Sequence, residues 1–351
     1  MEEPICWGEQ LLQVLIPLCI DKGIRGRWAP PTTRDELVLA RLSTLSALNV
    51  SYSALSAVPE SLGQLAALQI LDLSACFSLH TLPESLGELA ALTVLSLQHC
   101  TSLTKLPESL GKLTALEVLV VSFCNQLTGL PISTGQLSRL RALHMSACCA
   151  ITAFPESLSQ LTGLLELNAA DCRALAELPE SAGQLTALKY LHLSWCLLRE
   201  LPESIGQMSS LAGLFLNGCF GLKALPSSLG CLSSLEELNL QNCYELSMLP
   251  DSVGQLTALR ILTIEGCFIL ARLPLSFIHL SHSLIIHSRC NLVTMSYPPR
   301  HIVEQSRTST IKLFFLTHNI PLRLLVLLLA ARGAMSLELW AAAFEYLDLG
   351  T

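Results

Sequence analysis

The sequence is built on one repeated stretch, and a clear copy of it runs Leu92-Thr93-Val94-Leu95-Ser96-Leu97-Gln98-His99-Cys100. After Leu103, the same copy closes with Leu106-Pro107-Glu108-Ser109-Leu110-Gly111. Its proline recurs every 24 residues from Pro59 to Pro274, with a single step of 23. Leucines at alternate positions predict a short strand whose leucines point inward while the intervening residues point outward. The Pro-Glu-Ser-Leu-Gly segment predicts a helical turn or a looser coil, with proline at the first helical position.

The repeated unit is too short to bury its own leucines, so neighbouring units must stack to share one continuous core. A period of this length with the pattern Leu-x-x-Leu-x-Leu is typical of leucine-rich repeats. The sequence therefore predicts an α/β solenoid, a horseshoe of 24-residue repeats with a parallel sheet on its concave face. Ten units each begin near a leucine: Leu45, Leu68, Leu92, Leu116, Leu140, Leu164, Leu188, Leu211, Leu235 and Leu259.

Four regions follow from where the repeat pattern starts and stops. Residues 1–44 are predicted to be an N-terminal helical cap, because Thr33-Arg34-Asp35-Glu36 is a capping box. Residues 45–281 hold the ten repeats, and residues 282–296 form a degenerate capping repeat in which His287 takes the place of a core leucine. Residues 297–351 are predicted to be a helical segment with an apolar surface, which leaves two alternatives: a cap on the last repeat of a monomer, or a dimer contact.

Composition excludes several classes of partner. Hydrophobic residues make up 51% of the chain, charged residues 14%, and the net charge is −7. A nucleic acid is not expected as a partner, because phosphate binding needs a concentrated basic face. No apolar run reaches the ~20 residues that would span a bilayer. Because Glu2 and Glu3 stand where a secretory signal would be basic, we expect a cytoplasmic protein with no membrane span.

The 14 cysteines are too regular to be a disulfide framework. Most recur at one phase of the repeat, which favours a buried structural slot over metal or redox chemistry, since free cysteine packs as a small hydrophobe. Reduced thiols also suit the expected compartment. Cys149 and Cys231 lie outside this column and are expected to be exposed. The column contains Cys76, Cys100, Cys124, Cys148, Cys172, Cys196, Cys219, Cys243 and Cys267.

Catalytic and cofactor motifs are missing from the sequence. It has no Gly-x-Ser-x-Gly elbow and no His-Glu-x-x-His pair. Gly111-Lys112 lacks the upstream glycine of a phosphate-binding loop. The set His279, His282, His287 and Cys290 matches no common zinc spacing, so solvated imidazoles are favoured over a metal site. We therefore predict that the chain is not an enzyme and uses neither a cofactor nor a metal.

Glutamates follow the proline in many repeats, as Glu60, Glu84 and Glu108 do. They could form an acidic binding stripe. Their shared position beside a helical turn favours a different interpretation, in which they complement the peptide dipoles and keep the surface soluble.

The outward strand positions change in character along the array and give the candidate binding site. In the early units they are mostly apolar or small, whereas from the fifth unit they become aromatic and hydrogen-bonding. Aromatic anchors among polar groups are typical of binding hot spots, and the alternative is an ordinary surface. Neighbouring strands lie ~4.8 Å apart, so these side chains should form one patch. The predicted partner-binding residues are His144, Glu166, Asn168, Tyr190, His192, Trp195, Phe215, Glu237 and Asn239.

The run Leu-Pro-Glu-Ser-Leu-Gly-x-Leu-x-x-Leu-x-x-Leu-x-Leu-x-x-Cys-x-x-Leu resembles the repeats of plant-type intracellular disease-resistance proteins and of the group that includes Ras-pathway scaffolds. The resemblance extends from Leu45 to Leu280 and implies binding of a protein partner, for recognition or scaffolding in intracellular signalling or defence. An alternative rests on Leu337-Glu338-Leu339-Trp340 and Phe344-Glu345-Tyr346-Leu347-Asp348, which resemble the opening of an F-box. That resemblance implies a substrate receptor of a ubiquitin ligase.

Overall fold

The computed structural model describes residues 44–270, 273–274, 276–277, 280 and 284–287. These residues form one parallel sheet of eleven strands that follow one another in sequence order. The predicted solenoid of stacked repeats with a parallel sheet is confirmed. We number the repeats by their strands, which are β1 Ala47–Asn49, β2 Ile70–Asp72, β3 Val94–Ser96, β4 Val118–Val120, β5 Ala142–His144, β6 Glu166–Asn168, β7 Tyr190–His192, β8 Gly213–Phe215, β9 Glu237–Asn239, β10 Ile261–Thr263 and β11 Ile285–His287.

Each strand is three residues long, and its central residue, a leucine in β1 to β10 and Ile286 in β11, points towards the core. Leu95 in β3 and the following Leu97 are both fully buried, while Val94 and Ser96 on either side remain partly accessible. The register places each central leucine beside the next, as Leu71 beside Leu95. The core is therefore a continuous stack of leucines beneath the sheet.

On the opposite side of the core, a short 3-10 helix follows each repeat proline from Pro59 to Pro250. The carbonyl oxygen of the proline accepts the first hydrogen bond of the helix, as that of Pro59 does from the amide of Leu62 at 3.1 Å. The prediction that proline takes the first helical position is wrong by one residue. Pro59 is the N-cap, with φ −72° and ψ 152°, because its fixed φ also suits extended backbone. The helices span Glu60–Gln64, Glu84–Glu88, Glu108–Lys112, Ile132–Gln136, Glu156–Gln160, Glu180–Gln184, Glu203–Gln207, Ser227–Cys231 and Asp251–Gln255.

A glycine in most of these helices lets adjacent repeats approach closely. A Cβ atom added at Gly206 would lie 2.5 Å from the carbonyl oxygen of Ser228 and 2.7 Å from its Cβ. Gly63 stands against Ser85 in the same way, with 2.6 Å to the serine carbonyl oxygen. Repeat 5 has Ser159 at this position, and its hydroxyl donates to the carbonyl oxygen of Glu156 at 2.8 Å.

The glutamates that follow proline join neighbouring repeats, a role that the sequence interpretation did not include. The Glu84 carboxylate accepts a hydrogen bond from the backbone amide of Ser109 in the next helix, at 3.0 Å. Glu203 accepts two such bonds, from Ser227 at 3.1 Å and Ser228 at 2.9 Å. The backbone amide of Ser109 lowers the pKa of Glu84 below 4.5, which favours the charged form. These carboxylates satisfy amides that a helix start leaves unpaired.

All nine cysteines of the column are buried, and each thiol points at the strand of the preceding repeat. The Cys100 thiol donates to the carbonyl oxygen of Leu73 at 3.2 Å, and the other eight make equivalent contacts of 3.1–3.4 Å. Burial raises the pKa of Cys100 to about 12 and that of Cys219 to about 11. The thiols of Cys100 and Cys219 are therefore protonated hydrogen-bond donors at neutral pH. Cys149 and Cys231 are exposed.

The residue before each of the nine column cysteines adopts a left-handed backbone conformation, with φ between 57° and 78°. Trp195 and Phe123 hold this conformation although most side chains avoid it, whereas Gly218 and Gly266 hold it without steric cost. The turn brings the amide of Trp195 within 2.8 Å of the carbonyl oxygen of Asn217 in the next repeat. The strand, the turn after it and the cysteine therefore each form hydrogen bonds with a neighbouring repeat.

The last strand corrects one prediction. His287 pairs with Thr263, an outward position, and is exposed. It does not occupy the site of a core leucine, because the register places Ile286 beside Leu262 instead. The predicted N-terminal cap, most of the C-terminal regions, the F-box-like stretch and His279, His282 and Cys290 lie outside the described residues.

Candidate protein-binding face

The outward strand residues form two columns that cross the sheet from repeat to repeat. Adjacent strands pair in register, so each outward residue stands beside its equivalents in the neighbouring repeats. From β5 to β9 the first column contains Ala142, Glu166, Tyr190, Gly213 and Glu237, and the second contains His144, Asn168, His192, Phe215 and Asn239.

Gly213 makes room for the two aromatic rings at the middle of this face. A Cβ atom at this position would lie 2.9 Å from Cδ1 of Tyr190 and 2.8 Å from Cε2 of Phe215. Tyr190 nevertheless remains 46% exposed. The equivalent residue in β3 is Val94, so the glycine marks a local departure from the repeat pattern. Tyr190 and Phe215 thus share one aromatic patch on the surface.

His192 extends this patch by stacking on Phe215, with ring centroids 4.4 Å apart and an interplanar angle of 4°. Burial lowers the pKa of His192 below its ordinary 6.5, while the charge of Glu166 partly opposes the shift. The neutral imidazole is therefore favoured near neutral pH. On the other side, His144 Nδ1 lies 3.7 Å from Oε1 of Glu166, an ion pair only when the histidine is protonated.

Asn168 and Asn239 have a structural task that the sequence interpretation did not assign. Each side-chain oxygen accepts a hydrogen bond from the backbone amide two residues later, at 3.1 Å for Asn168 and 3.0 Å for Asn239. Asp72 makes the same contact with Ser74 at 2.9 Å in an early repeat. These side chains shape the turn after the strand. Their amide nitrogens make no hydrogen bond within the described residues and remain available to a partner.

Trp195 lies beyond the end of β7, at the rim of the sheet. Its ring covers Gly218 of the next repeat, where an added Cβ would lie 2.6 Å from Cδ2 of the tryptophan. It meets Phe220 edge-on at 5.4 Å between ring centroids. The structure therefore places Trp195 in a row of rim aromatics, beside but outside the two strand columns.

The sequence interpretation included Trp195 but missed the other three members of this row. Phe220, Tyr244 and Phe268 each follow a column cysteine, and they stack with centroids 4.8 and 5.3 Å apart. Their spacing of 24 residues was a visible signal. The pattern Leu-x-x-Leu-x-Leu does not indicate which way the residue after the cysteine points. The recurrence alone therefore did not show that the three rings contact one another.

The described residues contain neither a metal-binding cluster nor a membrane-spanning helix. No group of three or more His, Cys, Asp or Glu side chains there is arranged to hold a metal ion. No helix within the same residues is both long and apolar enough to cross a membrane.

Comparison with known proteins now identifies the family. A family model described as a leucine-rich repeat region matches residues 35–168 and 165–273. The chain belongs to the leucine-rich-repeat family. Members of this family generally act as protein-interaction modules, and the fold is typically non-catalytic. A search of curated proteins found no match to this leucine-rich-repeat chain.

Solved leucine-rich-repeat structures resemble it over most of its length. The leucine-rich repeat domain of the type III effector XopL is 26% identical, has a TM-score of 0.55, and covers 82% of this chain and 97% of that domain. The TDR receptor is 22% identical with a TM-score of 0.54, covering 73% of this chain and 45% of the receptor chain. The second likeness supports the fold alone.

Proposed function

We propose that this leucine-rich-repeat chain is a non-catalytic module that binds a protein partner through the concave face of repeats 5–9. The observation that carries the proposal is Gly213, which replaces a side chain in the outward column and gives Tyr190 and Phe215 the room to lie together on the surface. The fold needs no ring at either position, because only the central leucines of the strands enter the core. Tyr190 is 46% exposed and Phe215 is partly accessible. Accessible aromatic side chains held in a fixed arrangement are typical of binding hot spots.

The surroundings of the rings indicate the chemistry of the partner segment. Glu166 and Glu237 flank the aromatic patch in the first outward column, on β6 and β9. No lysine or arginine stands in the outward columns of β5 to β9. A partner segment that carries an apolar side chain beside a lysine or arginine would complement both the rings and the carboxylates.

The cellular setting is part of the same proposal. The resemblance of the repeats to those of intracellular disease-resistance and Ras-pathway scaffold proteins supports recognition or scaffolding in cytoplasmic signalling or defence. The likeness to the repeat domain of XopL, a type III effector, is compatible with that setting. No observation in the described residues favours the ubiquitin-ligase alternative.

The proposal is tested by quantitative affinity capture from cell extract, followed by cross-linking to locate the contact. The Tyr190→Ala/Phe215→Ala variant should lose the partner, while an Ile70→Ala/Val94→Ala variant in the same column of repeats 2 and 3 should keep it. A Gly213→Val variant should also lose it, because the new side chain displaces both rings without changing their chemistry. Circular dichroism verifies folding of all three. Retention of every partner by the folded Tyr190→Ala/Phe215→Ala variant would refute the proposal.

A further inference from the structure

The strongest feature outside the concave face is the row Trp195, Phe220, Tyr244 and Phe268, which we call the aromatic rim. The four rings belong to consecutive repeats, and their centroids are separated by 5.4, 4.8 and 5.3 Å. They are 45%, 42%, 41% and 60% exposed. A contiguous exposed apolar surface of this kind marks an interaction site on a folded protein.

The rim is confined to one part of the array. At the position after the column cysteine, where repeats 8 to 10 have their rings, repeat 2 has Phe77, but repeat 3 has Thr101 and repeat 4 has Asn125. Phe77 is exposed and has no aromatic neighbour in its column. A single ring at this position is therefore compatible with the fold alone. The fold does not call for three in succession after the cysteine, and these three rings stack into a continuous ridge with Trp195 against one end.

Ring orientation restricts what the ridge can bind. Phe220 and Tyr244 are inclined by 22°, and Tyr244 and Phe268 by 26°, so consecutive rings cover each other's faces. A sugar or a nucleobase stacks on an open ring face, which the inner rings do not offer. The exposed ring edges, and the shallow surface grooves between neighbouring edges, suit aliphatic side chains that pack from above.

Ring spacing restricts the conformation of the partner. Successive turns of an α-helix are about 5.4 Å apart, close to the ring spacing. Side chains on one face of an extended strand are about 6.6 Å apart and would fall out of step with the rings. A helix lying along the array can place one apolar side chain per turn over the groove between neighbouring ring edges. The rim spans roughly 15 Å, which about ten helical residues would cover.

Two positively charged side chains beside the rim indicate the charge of the partner. Arg199 and Lys223 are exposed beside the rim, in repeats 7 and 8, and the amide of Lys223 donates to the carbonyl oxygen of Arg199 at 3.1 Å. The Cγ of Arg199 lies 3.9 Å from the Cβ position of Gly221, the residue after Phe220. Neither cation is in an ion pair within the described part of the chain. A partner with carboxylates on that side would meet two free positive charges.

We propose that the aromatic rim binds an amphipathic α-helix of a partner protein, with one apolar side chain per turn over about three turns and acidic residues along the edge facing Arg199 and Lys223. This site is separate from the concave patch of Tyr190 and Phe215. Either surface can fail its test while the other passes.

The test uses the full chain and two fluorescently labelled synthetic peptides of identical composition. One has leucines at helical spacing, with glutamates on one flank; the other has the same leucines at alternate positions. Fluorescence anisotropy should show at least tenfold tighter binding of the helical peptide. The Phe220→Ser/Tyr244→Ser variant should lose at least tenfold in affinity, whereas Phe77→Ser in repeat 2 should match the wild type. Charge reversal in Arg199→Glu/Lys223→Glu should weaken binding without altering the rings.

Four results would overturn the inference. Equal binding of the two peptides would show that the partner need not be helical, and unchanged binding by the folded rim variant would show that the peptide binds elsewhere. The other two results concern other occupants of the rim. If binding appears only after residues 337–347 are deleted, this chain's own segment covers the rim. If the wild type self-associates and the rim variant does not, the occupant is a second copy.

Discussion

Substitution of Gly206 by alanine tests whether the close stacking of the 3-10 helices limits the stability of the array. The added methyl group would lie 2.5 Å from the carbonyl oxygen of Ser228, 2.7 Å from its Cβ and 3.1 Å from its carbonyl carbon. Two of these are backbone atoms, which cannot rotate away. The backbone of Gly206 is not left-handed, so the expected effect comes from crowding at the interface and not from an unfavourable φ.

Crowding of a packed interface by one methyl group costs about 1–3 kcal/mol. Replacing glycine also lowers the conformational entropy of the unfolded chain, which stabilises the folded state by about 0.4–1 kcal/mol. The free energy of unfolding should therefore fall by about 1–2 kcal/mol, which corresponds to a melting temperature lower by about 2–8 °C for an array of this size. Urea titration and thermal melting followed by circular dichroism measure both quantities. Since repeat arrays can unfold in steps, the slope of the urea transition must be compared as well.

Gly129→Ala is the matched control, because an added Cβ there meets nothing within 4 Å. It should leave stability unchanged or raise it by up to about 1 kcal/mol. If Gly206→Ala is as stable as Gly129→Ala, the reasoning fails. Neighbouring repeats would then be free to move apart, as the interface beside Ser159 already accommodates a side chain.

Three further predictions follow from local geometry. Gly218→Ala should lower the free energy of unfolding by about 1–2 kcal/mol in urea titration, because an L side chain is strained at φ 76°. No loss of stability would contradict this. A thiol reagent with peptide mapping should label Cys149 rapidly at neutral pH and leave Cys100 unlabelled, since burial raises the pKa of Cys100 to about 12; equal labelling would contradict the burial. Because folding lowers the pKa of His192, the unfolded chain binds more protons below about pH 6.5. Stability should therefore fall as the pH drops from 6.5 through the lowered pKa, less so in His192→Gln, and identical pH profiles would refute the assignment.

The leucine spacing was sufficient to predict the strands, their inward side chains and the parallel sheet. Strand alternation also determined which residues face outward, so Tyr190, His192 and Phe215 could be predicted as neighbours. The position of proline was predicted one residue too far into the helix. The same residue types are found at the start of a 3-10 turn and of an α-helical turn. The sequence pattern therefore does not show which carbonyl oxygen accepts the first hydrogen bond of the turn.

What escaped prediction depends on contacts between repeats. The pairing of Glu84 with the amide of Ser109 requires that the helix of one repeat begin beside the glutamate of the previous one. The role of Gly213 requires knowing that the rings of Tyr190 and Phe215 converge over it. The aromatic rim depends on the left-handed residue before each cysteine, which turns the chain toward the edge of the sheet. These contacts form only when neighbouring repeats stack, so the sequence of a single repeat does not show them.

The side-chain hydrogen bonds between repeats have a consequence for how the array can evolve. The bonds from column thiols to carbonyl oxygens and from backbone amides to carboxylates join residues 24–27 positions apart. They therefore connect only adjacent repeats. If two units recombine at the same phase, a whole repeat is lost or gained, and every new junction has the donors and acceptors of the old ones. The length of the array can therefore change by duplication in steps of one repeat, and new aromatic or charged side chains can be added to the binding surfaces without redesign of the core.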